Sequence, residues 1–170
     1  MSERSIFRFL FRVAARAPHL DRRTVLDRIV TGIANHYDAL TCRLWTVNGS
    51  SPLAAADEDE SLELLDPISR SRLREMEELL VGTALERGAY ASALDLDVDG
   101  ELTDFLHDVA EVHEVFAFPI TADGRTFGAI VLYLPLASPP LAEADQQALM
   151  AVGELVRLAA HDRRPERAHV

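Results

Sequence analysis

Apolar positions along this chain switch between two periods, and the clearest switch runs from Val115 to Ala160. That stretch reads VFAFPI, TADGR, TFGAIVLYL, PLASPP and LAEADQQALMAVGELVRLAA. Two apolar runs flanking a short Asp-Gly turn predict a β-hairpin at the centre of a sheet. Leu141, Ala148, Leu149, Val152, Leu155, Val156 and Ala159 then recur at helical spacing and predict a closing helix packed on one face. Pro139 and Pro140 suit its start. Gly128 removes a side chain from the return strand and permits a close approach there.

Read from the beginning, the pattern predicts a helical arm over residues 1–20. Arg4, Arg8, Arg12 and Arg16 form one stripe; Ile6, Phe9, Leu10, Val13 and Ala17 form another, and Pro18 ends the helix. A second helix begins after Asp21, a suitable cap, with Val25, Leu26, Ile29, Val30, Ile33, Ala34 and Tyr37 on its apolar face. Residues 39–47 alternate as a strand, with Leu40, Cys42 and Leu44 on one side and Arg43, Trp45 and Val47 on the other. A turn over Asn48–Pro52 and a short strand over Leu53–Ala56 follow. Residues 57–72 form an acidic connection, read as a solvated loop. Leu73, Met76, Leu79, Leu80 and Ala84 place a helix over 72–86, with Gly82 as a point of weakness and Gly88 as a stop. A strand over 89–94, an acidic turn to Gly100 and a short helix over 101–112 complete the middle. In that helix His107 and Glu111 share a side. Residues 161–170 are expected to be a disordered tail, leaving 21–160 as the domain.

At 170 residues, 48% of them apolar, the chain suits one domain with a sizeable core. The formal charge is −11, from 28 acidic and 17 basic groups, and every one of the 17 is arginine. That balance argues against a nucleic-acid partner held by cationic contacts to phosphate. The charge is uneven: residues 1–23 carry a net +4 and the remainder −15. Three readings of the arm follow. The preferred one pairs it with the same helix of a second subunit, with Ile6, Phe9, Leu10, Val13 and the closing helix's Leu155 as candidate interface. In the second it packs on its own domain. In the third, less favoured, residues 1–17 lie on an anionic membrane surface.

The single cysteine, Cys42, excludes an intrachain disulfide and a cysteine zinc cluster and reads as a small core residue. No apolar run approaches a membrane span, and Arg8, Arg12 and Arg16 interrupt any signal-peptide core, so a cytoplasmic protein is the default expectation. No nucleophile elbow or phosphate-cradling glycine loop occurs. The acids Asp95, Asp97, Asp99 and Glu101 read as a solvated turn rather than a general acid/base pair. No catalytic or metal-ligating residue is assigned, and the chain is not expected to be an enzyme.

Three stretches carry a family resemblance: VLDRIVTGIANHYDA with LTCRLWTV; LLVGTALERGAYASALDL; and VFAFPITADGRTFGAIVLYL with the helix after it. Together, over roughly Arg22 to Ala160, they resemble the GAF domain family, the small-molecule sensory and dimerisation module of signalling proteins. Pro119, Gly124 and Gly128 match the family's Pro-ending strand, polar turn and Gly-containing strand. The resemblance implies an α/β (α+β) fold: a six-stranded antiparallel sheet with helices on both faces and the terminal helices packed together. It implies a ligand cavity between one sheet face and the connecting helices, placed near residues 90–118. The candidate lining is Tyr90, Phe105, His107, His113, Phe116 and Phe118.

Against that lining stands the plainer reading, in which the aromatics, with Phe127 and Tyr133, are core and the histidines lie at its surface or edge. Bilin- and haem-type members place cofactor contacts near His107 and His113, but the chain has no cysteine there for covalent bilin attachment. Without lysine it does not complete the cyclic-nucleotide pattern, and with one cysteine it lacks the chemistry of the sulfoxide-reducing members. The cofactor stays unassigned. The function the resemblance implies is a non-catalytic sensory or regulatory module, acting as a homodimer, that binds a small ligand or a partner protein and signals through its terminal helices. It carries no kinase, cyclase or helix-turn-helix segment, so it is expected to act on a separate signalling protein or to be the sensory part of a longer one. The alternatives are a dimerisation scaffold with a collapsed pocket, and a haem sensor or small enzyme using His107 or His113.

Overall fold

Alternation along the hairpin strands places one set of side chains on each face of a sheet, and helices cover both faces. The computed structural model describes residues 3–16, 19–47, 54–57, 66–93, 96, 100–108, 111–122, 124–136 and 141–160. The expected turn at 48–52 and the tail at 161–170 lie outside them. The elements are α1 (Glu3–Arg16), α2 (Arg22–Tyr37), β1 (Thr41–Thr46), β2 (Ala54–Asp57), α3 (Pro67–Arg87), β3 (Ala91–Ser92), α4 (Gly100–Asp108), β4 (Val112–Ala122), β5 (Arg125–Pro135) and α5 (Glu143–Ala160).

Among the described residues the sheet has five strands, ordered β2-β1-β5-β4-β3 and antiparallel throughout, not the six that the family resemblance implies. The chain itself explains the correction. Its own pattern supplies five strand-like runs, and the sixth came only from the resemblance. β3 is a two-residue edge, pairing Ala91 with Ala117 and Ser92 with Phe116.

The central hairpin pairs β4 with β5 from Val112 opposite Pro135 to Ala122 opposite Arg125, longer at both ends than the apolar runs alone predict. β5 then pairs with β1, Leu44 opposite Ile130 and Thr46 opposite Gly128. On one face Cys42, Leu44, Phe116, Phe118, Ile120, Ile130, Leu132 and Leu134 meet α1, α2 and α5. On the other, Trp45, Val115, Ala117, Ala129, Val131 and Tyr133 meet α3 and α4. The terminal helices α1 and α5 pack together and, with α2, form one layer. Leu10 and Val13 are buried in that layer and Phe9 is half-buried against it, so this side of the arm packs within the chain. Leu40 sides with Trp45 rather than with Cys42. It precedes the first β1 residue, after Asp38 turns the chain in a left-handed conformation (φ 50°), and so does not share the strand's phase.

Local chemistry sets the helix ends. Asp21 caps α2 by accepting from the Thr24 N–H at 2.9 Å. α3 begins at Pro67, five residues before the expected start. Asp66 accepts from the Ser69 N–H at 2.8 Å and Pro67 occupies the first turn, a cap-and-proline signal that precedes any apolar spacing. Gly88 ends α3 at φ 62°, and the helix continues unbroken through Gly82.

α2 and α5 are joined by Tyr37, whose hydroxyl donates to Asp145 at 3.0 Å. Burial, with the Asp145 charge beside it, pushes the phenol well above its ordinary value of 10.0. The folded chain therefore holds this proton more tightly than the unfolded one. The resulting stability is complete below pH 10.0 and is lost progressively above it. Tyr37→Phe should cost about 1 kcal/mol at neutral pH, the net contribution of one partly exposed hydrogen bond. It should also reduce the loss of stability above pH 10.0, as measured by urea unfolding across pH.

Candidate functional site

α3 buries Leu73, Met76, Leu80, Val81 and Ala84, and Glu77 falls inside that stripe. The helix therefore drives a carboxyl group into the sheet, where only 1% of the residue stays exposed. β1 meets it with Arg43, whose Nη1 donates to both Glu77 oxygens at 2.9 Å. β5 meets it with Tyr133, whose hydroxyl donates to Oε1 at 2.7 Å. The Arg43 guanidinium carbon also lies 5.7 Å from the centre of the Tyr133 ring, within cation–π range. The Arg43 side chain keeps 17% exposure, so the cluster has one edge near solvent.

Beside it, Trp45 is 2% exposed and its indole Nε1 has no hydrogen-bond partner among the described residues. A buried unpaired donor of this kind costs stability, commonly about 1–3 kcal/mol. The cluster joins three polar side chains to one another and sets them beside an indole N–H with no partner among the described residues, in apolar surroundings. Glu77 was missed in the sequence, although a charge within a helix's apolar stripe was its signal. Arg43, on the same side of β1 as Trp45, was the matching half.

The residues placed near the expected cavity divide between the two faces. Tyr90, Phe116 and Phe118 do come together, with ring centres 5.8–5.9 Å apart. The two phenylalanines are buried in the terminal-helix core, and Tyr90, 38% exposed, stands at its edge. His107 is on α4, which packs on the opposite face through Leu106. Its side chain is 63% exposed and Nδ1 lies 2.9 Å from Asp108. Glu111 follows α4 at φ 53° and does not share a helical side with His107. The side chains of Phe105, His113, Ile6 and Leu155 lie outside those described. Cys42 is buried in the terminal-helix core. Among the described residues no three His, Cys, Asp or Glu side chains are grouped to hold a metal ion, and no helix is long and apolar enough to cross a membrane.

An antiparallel sheet between a layer of terminal helices and a layer of connecting helices is the architecture of a small sensory or regulatory α+β domain. The chain belongs to the GAF domain family, whose model matches residues 21–160. No curated protein matches it. Among solved structures it is similar to the GAF domain from Acinetobacter phosphoenolpyruvate-protein phosphotransferase, at 15% identity and a TM-score of 0.63, covering 92% of this chain and 94% of that one. It is similar to the phycocyanobilin-bound GAF domain from a cyanobacterial phytochrome, at 12% identity and 0.61, covering 99% of both chains. It is also similar to free methionine-R-sulfoxide reductase from Neisseria meningitidis in complex with its substrate, at 14% identity and 0.54, covering 91% and 85%. At these identities the likeness is one of fold.

Proposed function

We propose that this chain is a non-catalytic regulatory module working as a homodimer, with the α3 side of its sheet as input and the layer of α1, α2 and α5 as output. One arrangement supports this reading. β1 and β5 present Arg43, Trp45 and Tyr133 to the α3-side cluster, and their alternate residues Cys42, Leu44, Leu132 and Leu134 seat the terminal helices. A small ligand or partner group that accepts from Trp45 Nε1, or competes with Tyr133 for Glu77, moves residues whose chain neighbours hold α2 and α5. Structures of similar fold include one that is phycocyanobilin-bound and one in complex with its substrate, which gives ligand input to this fold a precedent. For the dimer, Phe11 of α1 is exposed, whereas Leu10 and Val13 turn inward and Phe9 is half-buried.

The depth of the cluster favours a second reading, a structural scaffold whose pocket is filled by its own side chains. Tyr133→Phe separates the two, because it deletes one hydrogen bond and keeps the ring. Under the regulatory reading, amide hydrogen exchange rises in α2 and α5 as well as in α3. A rise confined to α3, β1 and β5 overturns that reading and leaves the scaffold. Sedimentation of the chain over a range of concentrations should show a reversible dimer, and a monomer throughout removes the homodimer.

A further inference from the structure

On the far side of the sheet from Glu77, α1 and α2 enclose a groove of about 550 Å3. Small-molecule sites commonly span roughly 300–1,000 Å3. The floor is apolar: Phe9 and Val13 of α1 line it, and Phe9 packs on Gly32 of α2, where an added Cβ would overlap its ring. The rim is cationic, with Arg12 and Arg16 from α1 and Arg28 from α2. All three are exposed, and none has an ion pair or hydrogen bond among the described residues. Among the described residues of the lining the one carboxylate is Asp27, which lies 4.0 Å from Arg23 on its own helix.

Arg12 and Arg16 are like charges four residues apart, a spacing that weakens a helix unless an anion lies between them. Guanidinium groups suit such an anion, since their planar N–H edges pair with two carboxylate or phosphate oxygens at once. The rim thus asks for negative charge and the floor for an apolar body. We propose that this groove binds a small amphipathic anion, a carboxylate or phosphate carried on a short apolar chain or ring. The acid group sits on Arg12, Arg16 and Arg28, and the apolar body lies against Phe9 and Val13. Such a ligand touches both helices and so holds α1 against α2, favouring the docked arm in proportion to its binding. The site is independent of the Arg43 cluster and stands or falls without the regulatory reading.

The test is calorimetric titration of the full chain with decanoate below its micelle-forming concentration, beside decanol and inorganic phosphate. Decanoate should bind saturably and raise Tm, and the two controls, each offering half of the chemistry, should bind at least about tenfold more weakly. Arg12→Gln and Arg28→Gln should each weaken decanoate binding by about tenfold, the size of one charge-assisted hydrogen bond. Arg70→Gln, on α3, should leave it unchanged. Absence of saturable decanoate binding, or undiminished binding by both groove variants, overturns the proposal. Binding only to phosphatidylglycerol vesicles, lost in the groove variants, also overturns it and makes the arm a membrane-docking face. Self-association lost in the same variants without decanoate binding overturns it in favour of an acidic surface on a second copy.

Discussion

Glu77→Ala is expected to lower the stability of the chain by about 3 kcal/mol, toward the lower end of the cost of breaking a buried ion pair. The loss has two parts. Arg43, beneath α3, loses the carboxylate that receives its two 2.9 Å bonds, and the buried Tyr133 hydroxyl loses the Glu77 oxygen it donates to. The figure stays at the low end because the Arg43 side chain is already 17% exposed and turns partly to water. The pair is not thereby a source of net stability. Arg43→Met combined with Glu77→Leu fills similar space without charge, and should be less destabilising than Glu77→Ala alone, because it removes the buried charge although not the Tyr133 hydroxyl. Urea unfolding of the single and double variants decides this. A Glu77→Ala loss below about 1 kcal/mol would mean that the cluster is solvated and not a buried pair.

The second large effect is expected at Gly128. This residue pairs with Thr46 where β5 runs beside β1, and a Cβ on it would overlap the Trp45 carbonyl oxygen and sit 3.1 Å from the carbonyl carbon. These are backbone atoms, so no side-chain rotation relieves the contact, and β1 must move away from β5. Gly128→Ala should therefore cost about 3 kcal/mol, the upper part of the range for overpacking, and should shift the fluorescence of the single tryptophan. Gly82→Ala is the control of opposite sign. Gly82 lies exposed within α3 with no atom near its added Cβ, and alanine there should add about 0.5–1 kcal/mol through helix propensity. Thermal unfolding of the two variants in parallel tests both. A Gly128→Ala variant as stable as the parent would show that β1 and β5 are not packed this closely.

Much of this fold is visible in the chain because its patterns are local. The hairpin declares itself in two apolar runs around an Asp-Gly turn, and α2 declares itself in Asp21 and the spacing from Val25 to Tyr37. The same local reading supplied five strand-like runs, and the sixth strand failed because it was carried over from relatives rather than read from residues. The start of α3 was misplaced because apolar spacing begins only at Leu73, whereas Asp66 and Pro67 begin the helix through backbone chemistry. For the candidate site, Arg43 and Trp45 were correctly placed on one side of β1, yet nothing in the order of residues ties them to Glu77, thirty-four positions from Arg43.

What the sequence by itself determined is therefore the kind of element at each stretch and which residues of that element share a face. Periods of two and 3.6 are properties of a single segment and need no partner to be read. Only the tertiary structure decided which face met which neighbour. It turned Phe116 and Phe118 toward the terminal helices and His107 outward on α4 across the sheet, and it closed Glu77 over Arg43 and Tyr133. Those outcomes depend on how layers distant in the chain stack, and stacking is set by burial summed over the whole core rather than by any residue's immediate neighbours.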